Sequence, residues 1–308
     1  MLRSALIAAS RSPGCRSLVE RTPVLRPIVD RFVAGRGIDD AMRVARTIAA
    51  DRLVSLDHLG EDTLDRAQAE RTVEAYRTAL RRLGEVGLAP RVEVSVKLSA
   101  LGQALPADGE KIALENTRRI CAAAAEAGTT VTVDMEDHTT TDSTLTLVRE
   151  LRADFPATGT VLQAYLKRTA GDCADFAVPG SRIRLCKGAY DEPASVAYRT
   201  KSEVDASYVR CLKILMNGDG YPMVATHDTR LIDVATMLAE QTGRGRDDYE
   251  FQMLYGVRPQ VQTQLARRGL RMRVYVPYGT EWYPYFMRRL GERPANVAFF
   301  LQALTRRG

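Results

Sequence analysis

The sequence predicts an α/β chain closed into a (β/α)8 barrel of the TIM type, and three observations carry that prediction. From residue 52 onward, eight short apolar runs alternate with amphipathic stretches, the pattern of parallel βα units. Each run ends in polar or ionisable residues, as expected where a barrel opens its C-terminal mouth to a ligand. No GxGxxG turn follows the first run, which argues against the runner-up, an open doubly wound sheet.

The 308 residues read as one domain, a helical arm over 1–50 and a barrel over 51–308. In the arm, Pro23 and Pro27 punctuate helical stretches and Ile38–Asp51 keeps a helical period. Its first residues carry Arg3, Arg11, Arg16 and Arg21 with no acid before Glu20, a composition shared with transit peptides. Arginine outnumbers lysine throughout, so a basic first helix is the simpler reading. The candidate strands are Leu53–His58, Val92–Leu98, Thr130–Met135, Thr160–Tyr165, Arg182–Lys187, Met223–His227, Glu250–Leu254 and Met272–Val276. Their Val, Ile and Leu content suits strands buried on both faces. Helical periods fall at Asp62–Leu83, Gly109–Ala127, Ser143–Ala153, Pro193–Leu215, Thr229–Gln241 and Pro259–Arg268, with a last helix at Tyr283–Leu290.

Composition excludes several functions. The longest apolar run near the start, Ala5–Ser10, is far too short to span a bilayer. The five cysteines form no CxxC pair, and the three histidines have no metal-ligand spacing with them. Zinc is not expected, and a reducing cytoplasm is the simplest compartment. The net charge of +6 is dispersed and aromatics are 6% of the chain, so nucleic acid is not an expected partner.

The chemistry gathers at the strand ends. They supply Glu61, Lys97, Asp134, Glu136, Asp137, Gln163, Tyr165, Arg184, Lys187, Tyr190, Thr226, His227, Asp228, Gln252, Tyr255, Tyr275 and Tyr278. Among only six lysines, Lys97 and Lys187 stand at such ends, where a compact ammonium differs in use from a guanidinium. The last helix carries Arg288 and Arg289, followed by Glu292 within pairing distance along the helix. Two guanidinium groups can converge on one carboxylate if the helix end faces it. The stretch YVPYGTEWYPYF (275–286) sets the sole tryptophan among tyrosines suited to pack a small ring and offer hydroxyls.

In this order, VSVKLSALG (94–102), DMED (134–137), LQAYL (162–166), RLCKGAY (184–190), ATHD (225–228), EFQMLYGVR (250–258) and RVYVPYGTEWYPYFMRRLGERPAN (273–296) resemble the motifs of the proline dehydrogenase family. With no aldehyde dehydrogenase region, the chain is similar to the monofunctional bacterial members. The resemblance implies a distorted barrel that binds FAD, with its last helix over the mouth. It implies oxidation of L-proline to Δ1-pyrroline-5-carboxylate, the first step of proline catabolism, by hydride transfer from C5 to flavin N5. The electrons would pass to a membrane quinone, with peripheral contact on the inner face of the bacterial membrane. Arg288, Arg289 and Lys97 resemble the clamp on the substrate carboxylate. Tyr190, Tyr275 and Leu254 resemble the walls around the pyrrolidine ring, Asp134 an acid beneath it that would balance Lys97, and Glu61 a gate paired with the carboxylate-binding arginine. Gln163, Arg184, Lys187 and Gly188 resemble residues around the isoalloxazine and its linker. Thr200, Lys201, Thr226, His227 and Glu292 resemble contacts to the rest of FAD. Cys186 reads as packing, and Asp191 stands where bifunctional relatives have tryptophan. No acid–base catalyst is evident. A lyase with Lys97 or Lys187 as Schiff-base amine, and a non-enzymatic flavin- or anion-binding module, are the rival readings.

Overall fold

A computed structural model describes residues 22, 25–61 and 63–291 of the chain. Eight parallel strands close in sequence order into a barrel: β1 (Leu53–His58), β2 (Val92–Val96), β3 (Val131–Val133), β4 (Gly159–Gln163), β5 (Arg182–Cys186), β6 (Tyr221–Ala225), β7 (Glu250–Leu254) and β8 (Met272–Tyr278). β8 returns to β1 in register, Leu53 opposite Arg273 and His58 opposite Tyr278.

Among the described residues, two helices precede the barrel, α1 (Arg26–Asp30) and α2 (Ile38–Ile48). The crossovers are α3 (Arg66–Glu85), α4 (Gly109–Ala127), α5 (Thr141–Asp154), α6 (Thr169–Phe176), α7 (Lys201–Asn217), α8 (Thr229–Gln241) and α9 (Pro259–Arg267), and α10 (Trp282–Gly291) follows β8. Local chemistry sets several starts. The Asp65 carboxylate accepts from the Gln68 amide at the head of α3, and Thr200 and Glu203 form a reciprocal capping box on α7. Pro259 occupies the first turn of α9, where its missing N–H costs nothing.

The strands are buried on both faces, but not by apolar residues on both. One set of alternate residues, including Val54, Leu56, Val94, Val96, Leu162, Ile183, Leu185, Val274 and Val276, shares one apolar core with the inner faces of the helices. The other set points into the barrel and is polar: Ser55, Glu93, Ser95, Thr132, Arg184, Glu250, Gln252 and Arg273 are all buried. These side chains satisfy one another. Glu93 accepts from Ser55 (2.6 Å), Thr132 (3.2 Å) and Arg182 (2.6 Å), and Glu250 accepts from Gln252 (2.6 Å) and Arg273 (2.6 Å). Burial on both faces is as expected from the Val, Ile and Leu content, but the period-2 alternation hides a charged column inside the barrel.

A second apolar cluster joins the arm to the last helix. Leu25, Ile28 and Phe32 pack with Trp282, Tyr283, Phe286, Met287 and Leu290, while Ala34 donates to the Pro277 carbonyl at 2.9 Å. This packing holds α10 across the C-terminal end of the barrel, where Tyr285, Arg288 and Arg289 line the central cavity.

Candidate active site

A cavity of about 570 Å³ opens at the C-terminal ends of the strands. Its floor comes from inward positions of β1, β2, β3, β5 and β8. The ammonium of Lys97 lies 2.9 Å from Asp57 Oδ1, and both side chains are buried. Asp134 accepts from Ser95 Oγ (3.0 Å), Arg184 Nη1 (2.5 Å) and the Tyr275 hydroxyl (2.7 Å). Asp134 was expected to balance Lys97, and it does act on that amine through its charge, but the direct ion pair is with Asp57. Asp57 and Lys97 face inward from adjacent strands, whereas Asp134 is taken by the guanidinium that reaches across from β5. Burial pulls the Lys97 pKa down, but Asp57, Asp134 and Glu61 together outweigh it and hold the amine protonated. Burial, then Asp134, pushes the Tyr275 hydroxyl well above the ordinary phenol range.

The roof is α10. Arg288 donates to both oxygens of Glu61, at 2.7 and 3.2 Å, a bidentate pair joining the helix to the loop after β1. Burial would raise the Glu61 pKa, but Arg288 and Lys97 bring it below the ordinary value. Arg289 is buried, with its guanidinium carbon 5.1 Å from the centre of the Tyr285 ring. Tyr190, Leu254 and Tyr275 form walls between floor and roof.

The residues expected around a flavin divide. Gln163, Arg184, Lys187, Gly188, Thr226 and His227 all line the same cavity. Gln163 donates to the Glu136 carbonyl (2.8 Å), and His227 Nε2 accepts from the Leu254 amide (3.0 Å). Gly188 has φ +108°, and a Cβ there would lie 2.2 Å from the Tyr165 ring, so the loop after β5 passes that ring where only glycine fits. Thr200 and Lys201 do not line the cavity. Thr200 is spent capping α7, and the largely exposed Lys201 pairs with Asp205 at 2.5 Å. Glu292 lies outside the described residues. Cys186, read as packing, also borders the cavity, with its thiol pushed up to about 11 by burial.

Sequence reasoning missed Asp57, one position before the end of β1. It also missed Glu192, whose buried carboxylate accepts from the His138 amide (3.0 Å) and the Tyr165 hydroxyl (3.1 Å) and contacts the His138 ring. That clasp ties the loop carrying Tyr190 to the end of β3. Its signal was the strand-end string DMEDH, of which only the first four residues were used.

Comparison with known proteins agrees with this geometry. The profile of the family described as proline dehydrogenase matches residues 41–302. The chain is 40% identical over 307 residues to a proline dehydrogenase of Deinococcus radiodurans, covering 99% of this chain and 98% of that one. It is 38% identical over 278 residues to proline dehydrogenase 1 of Bacillus subtilis, covering 90% of each. Among solved structures, proline utilization A of Bdellovibrio bacteriovorus, inactivated by N-propargylglycine, superposes with a TM-score of 0.80 at 27% identity. That match covers 86% of this chain and 32% of the larger protein.

Proposed function

The chain belongs to the proline dehydrogenase family, and on that premise we propose that it oxidises L-proline to Δ1-pyrroline-5-carboxylate with FAD as the hydride acceptor. The observation that carries the reading is one cavity lined both by Lys97, Arg288 and Arg289, from floor and roof, and by Arg184, Gln163 and Lys187. The first set suits a small carboxylate, the second an electron-accepting heteroaromatic ring, which gains negative charge on reduction, with a phosphate tail.

The donor set fits a flavin. Arg184 lines the cavity with its guanidinium fixed by Gln252, Ser95 and Asp134, a held positive charge that suits a ring gaining negative charge on reduction. When bound, FAD supplies what no side chain here can, acceptance of a hydride from C5 of proline. The chain's own residues then bind, orient and exclude water. Lys97, Arg288 and Arg289 hold the substrate carboxylate, and the protonated state of Lys97 keeps that clamp cationic. Tyr190, Tyr275 and Leu254 press on the ring and fix its C5 in one direction, the alignment that hydride transfer requires. Glu61 closes α10 over the site by pairing with Arg288. Electrons would leave to a membrane quinone through peripheral contact on the inner face of the bacterial membrane; no helix among the described residues is long and apolar enough to cross one.

The test is the visible spectrum of the purified protein under anaerobic L-proline. A flavin band that bleaches with L-proline and not with D-proline supports the reading. A colourless protein that FAD cannot reconstitute, trapped instead by borohydride with a carbonyl substrate, would establish the lyase alternative.

A further inference from the structure

The turn after β7 places one more cation on the cavity wall. Arg258 lines the cavity with φ +50° and ψ 51°, one of three non-glycine residues with positive φ among the described residues. Left-handed backbone crowds a Cβ, and arginine, unlike asparagine or aspartate, gains no local hydrogen bond from it. Its surroundings do not let the turn relax. Gly256 presses on the arm so closely that a Cβ there would lie 1.8 Å from the Arg31 carbonyl oxygen. Gln262 donates to the carbonyls of Leu254 (3.1 Å) and Val257 (2.9 Å), and Val257 is buried against the last helix. Strain held in place on several sides beside a ligand cavity points to a function for the side chain.

Charge gives that function its sign. Lys97, Arg184, Lys187 and Arg288, also on the wall, each have a carboxylate within 2.9 Å. Arg258 has neither an ion pair nor a side-chain hydrogen bond among the described residues. At the outer rim, Lys187, Lys201 and Arg230 share Asp205 and Asp228. That leaves a surplus of one positive charge, against the two negative charges of a diphosphate.

We infer that Arg258 is a further binding residue, donating to an anionic oxygen of a bound ligand, either a phosphate oxygen of the cofactor's diphosphate or a carboxylate oxygen of the substrate. The inference rests on the flavin and proline reading above. Arg258→Gly keeps the left-handed backbone open and removes only the side chain, and Arg258→Lys keeps the charge. Three quantities are measured: FAD affinity by titrating flavin-stripped protein, KM for L-proline on FAD-saturated enzyme, and Tm of the stripped protein. If the diphosphate is the partner, Arg258→Gly raises the FAD Kd about tenfold or more and leaves KM within about twofold. If the carboxylate is the partner, KM rises by that factor and the FAD Kd holds. In either case Arg258→Lys recovers most of the loss. Tm stays level or climbs by roughly 1–3 °C, because strain is relieved. Wild-type values of both constants in Arg258→Gly overturn the inference alone. So does weakened binding that comes with a fall in Tm and no rescue by lysine. A wild-type chain that takes up no FAD overturns the flavin reading and this inference with it.

Discussion

Replacing Asp57 by asparagine isolates the charge beneath the proposed substrate clamp. Asp57 and Lys97 are 2.9 Å apart, with side chains only 1% and 10% exposed, so solvent screens the pair little. At an effective dielectric of about 20, two unit charges at that distance attract by about 6 kcal/mol. Asparagine keeps an oxygen that can accept from Lys97, and Asp134 and Glu61 remain nearby, so most of this is not lost. The low end of what truncating a buried charge pair costs, about 2 kcal/mol, corresponds to a roughly 30-fold fall in kcat/KM for L-proline. The pH dependence has a definite sign. Lys97 is a base whose pKa is raised in the folded protein, chiefly by Asp57 against the pull of burial. With Asp57 neutral, burial gains ground, the ammonium is lost at lower pH, and the activity profile acquires an alkaline limb that the wild type lacks in the same range. Steady-state kinetics across the alkaline range read this directly. An unchanged profile with unchanged kcat/KM would refute the argument, and an equal loss at every pH would mean that Asp57 acts through packing and not through charge.

Arg288→Ala removes the roof cation and strands Glu61, so kcat/KM for L-proline should fall roughly 30-fold or more while flavin absorbance stays at the wild-type level. Tyr275→Phe keeps the ring against the substrate but deletes the 2.7 Å hydrogen bond to Asp134. Turnover of proline should drop while KM for L-proline changes little, since the ring itself stays in place; steady-state kinetics with L-proline check it. Glu93→Gln leaves Arg182, Arg184 and Arg273 facing a neutral amide. A cost of about 3–5 kcal/mol at the usual unfolding entropy per residue lowers Tm by about 5–8 °C, read by calorimetry. Burial would raise the Glu93 pKa, but the three arginines hold it well below the glutamate range. Its stabilisation is therefore full above the unfolded value and fades as pH falls below it, and the Gln variant should lack that part of the acid dependence.

Strand positions were legible because strand and helix periods differ plainly: β1 and β7 begin and end where their apolar runs do. α6 was missed because eight residues containing Gly171 show no sustained apolar stripe. α7 was placed too early, although Thr200 and Glu203 spell a capping box in the sequence. Most of the site was legible for a topological reason, since a barrel brings every strand's C-terminal end to one mouth. What could not be read was pairing across the barrel. Asp57 stands beside Ser95 in register, so it meets the inward Lys97 from the next strand. Asp134 is claimed by Arg184, fifty positions away in the chain. Such choices depend on closure of the sheet and leave no local pattern.

The charged column also divides the site mechanically. Barrel interiors are commonly filled by layers of branched apolar side chains. Here three carboxylates (Glu93, Asp134, Glu250) and three guanidinium groups (Arg182, Arg184, Arg273) occupy inward positions and interlock. Charges buried this way are costly unless paired, and each has a partner of opposite sign. Their pairs have almost no water to exchange with, so the floor that carries Asp134 and Arg184 is fixed before any ligand arrives, the condition under which oriented charges stabilise a reacting group most. The roof differs. The Arg288–Glu61 pair is 28% and 26% exposed, and on the function proposed above an entering carboxylate would compete with Glu61 for the same guanidinium. Water can replace either partner as the pair parts. On the function proposed above, substrate entry would fall to the last helix and the loop after β1, while the buried, fully paired floor would hold its charges in place beneath the ring.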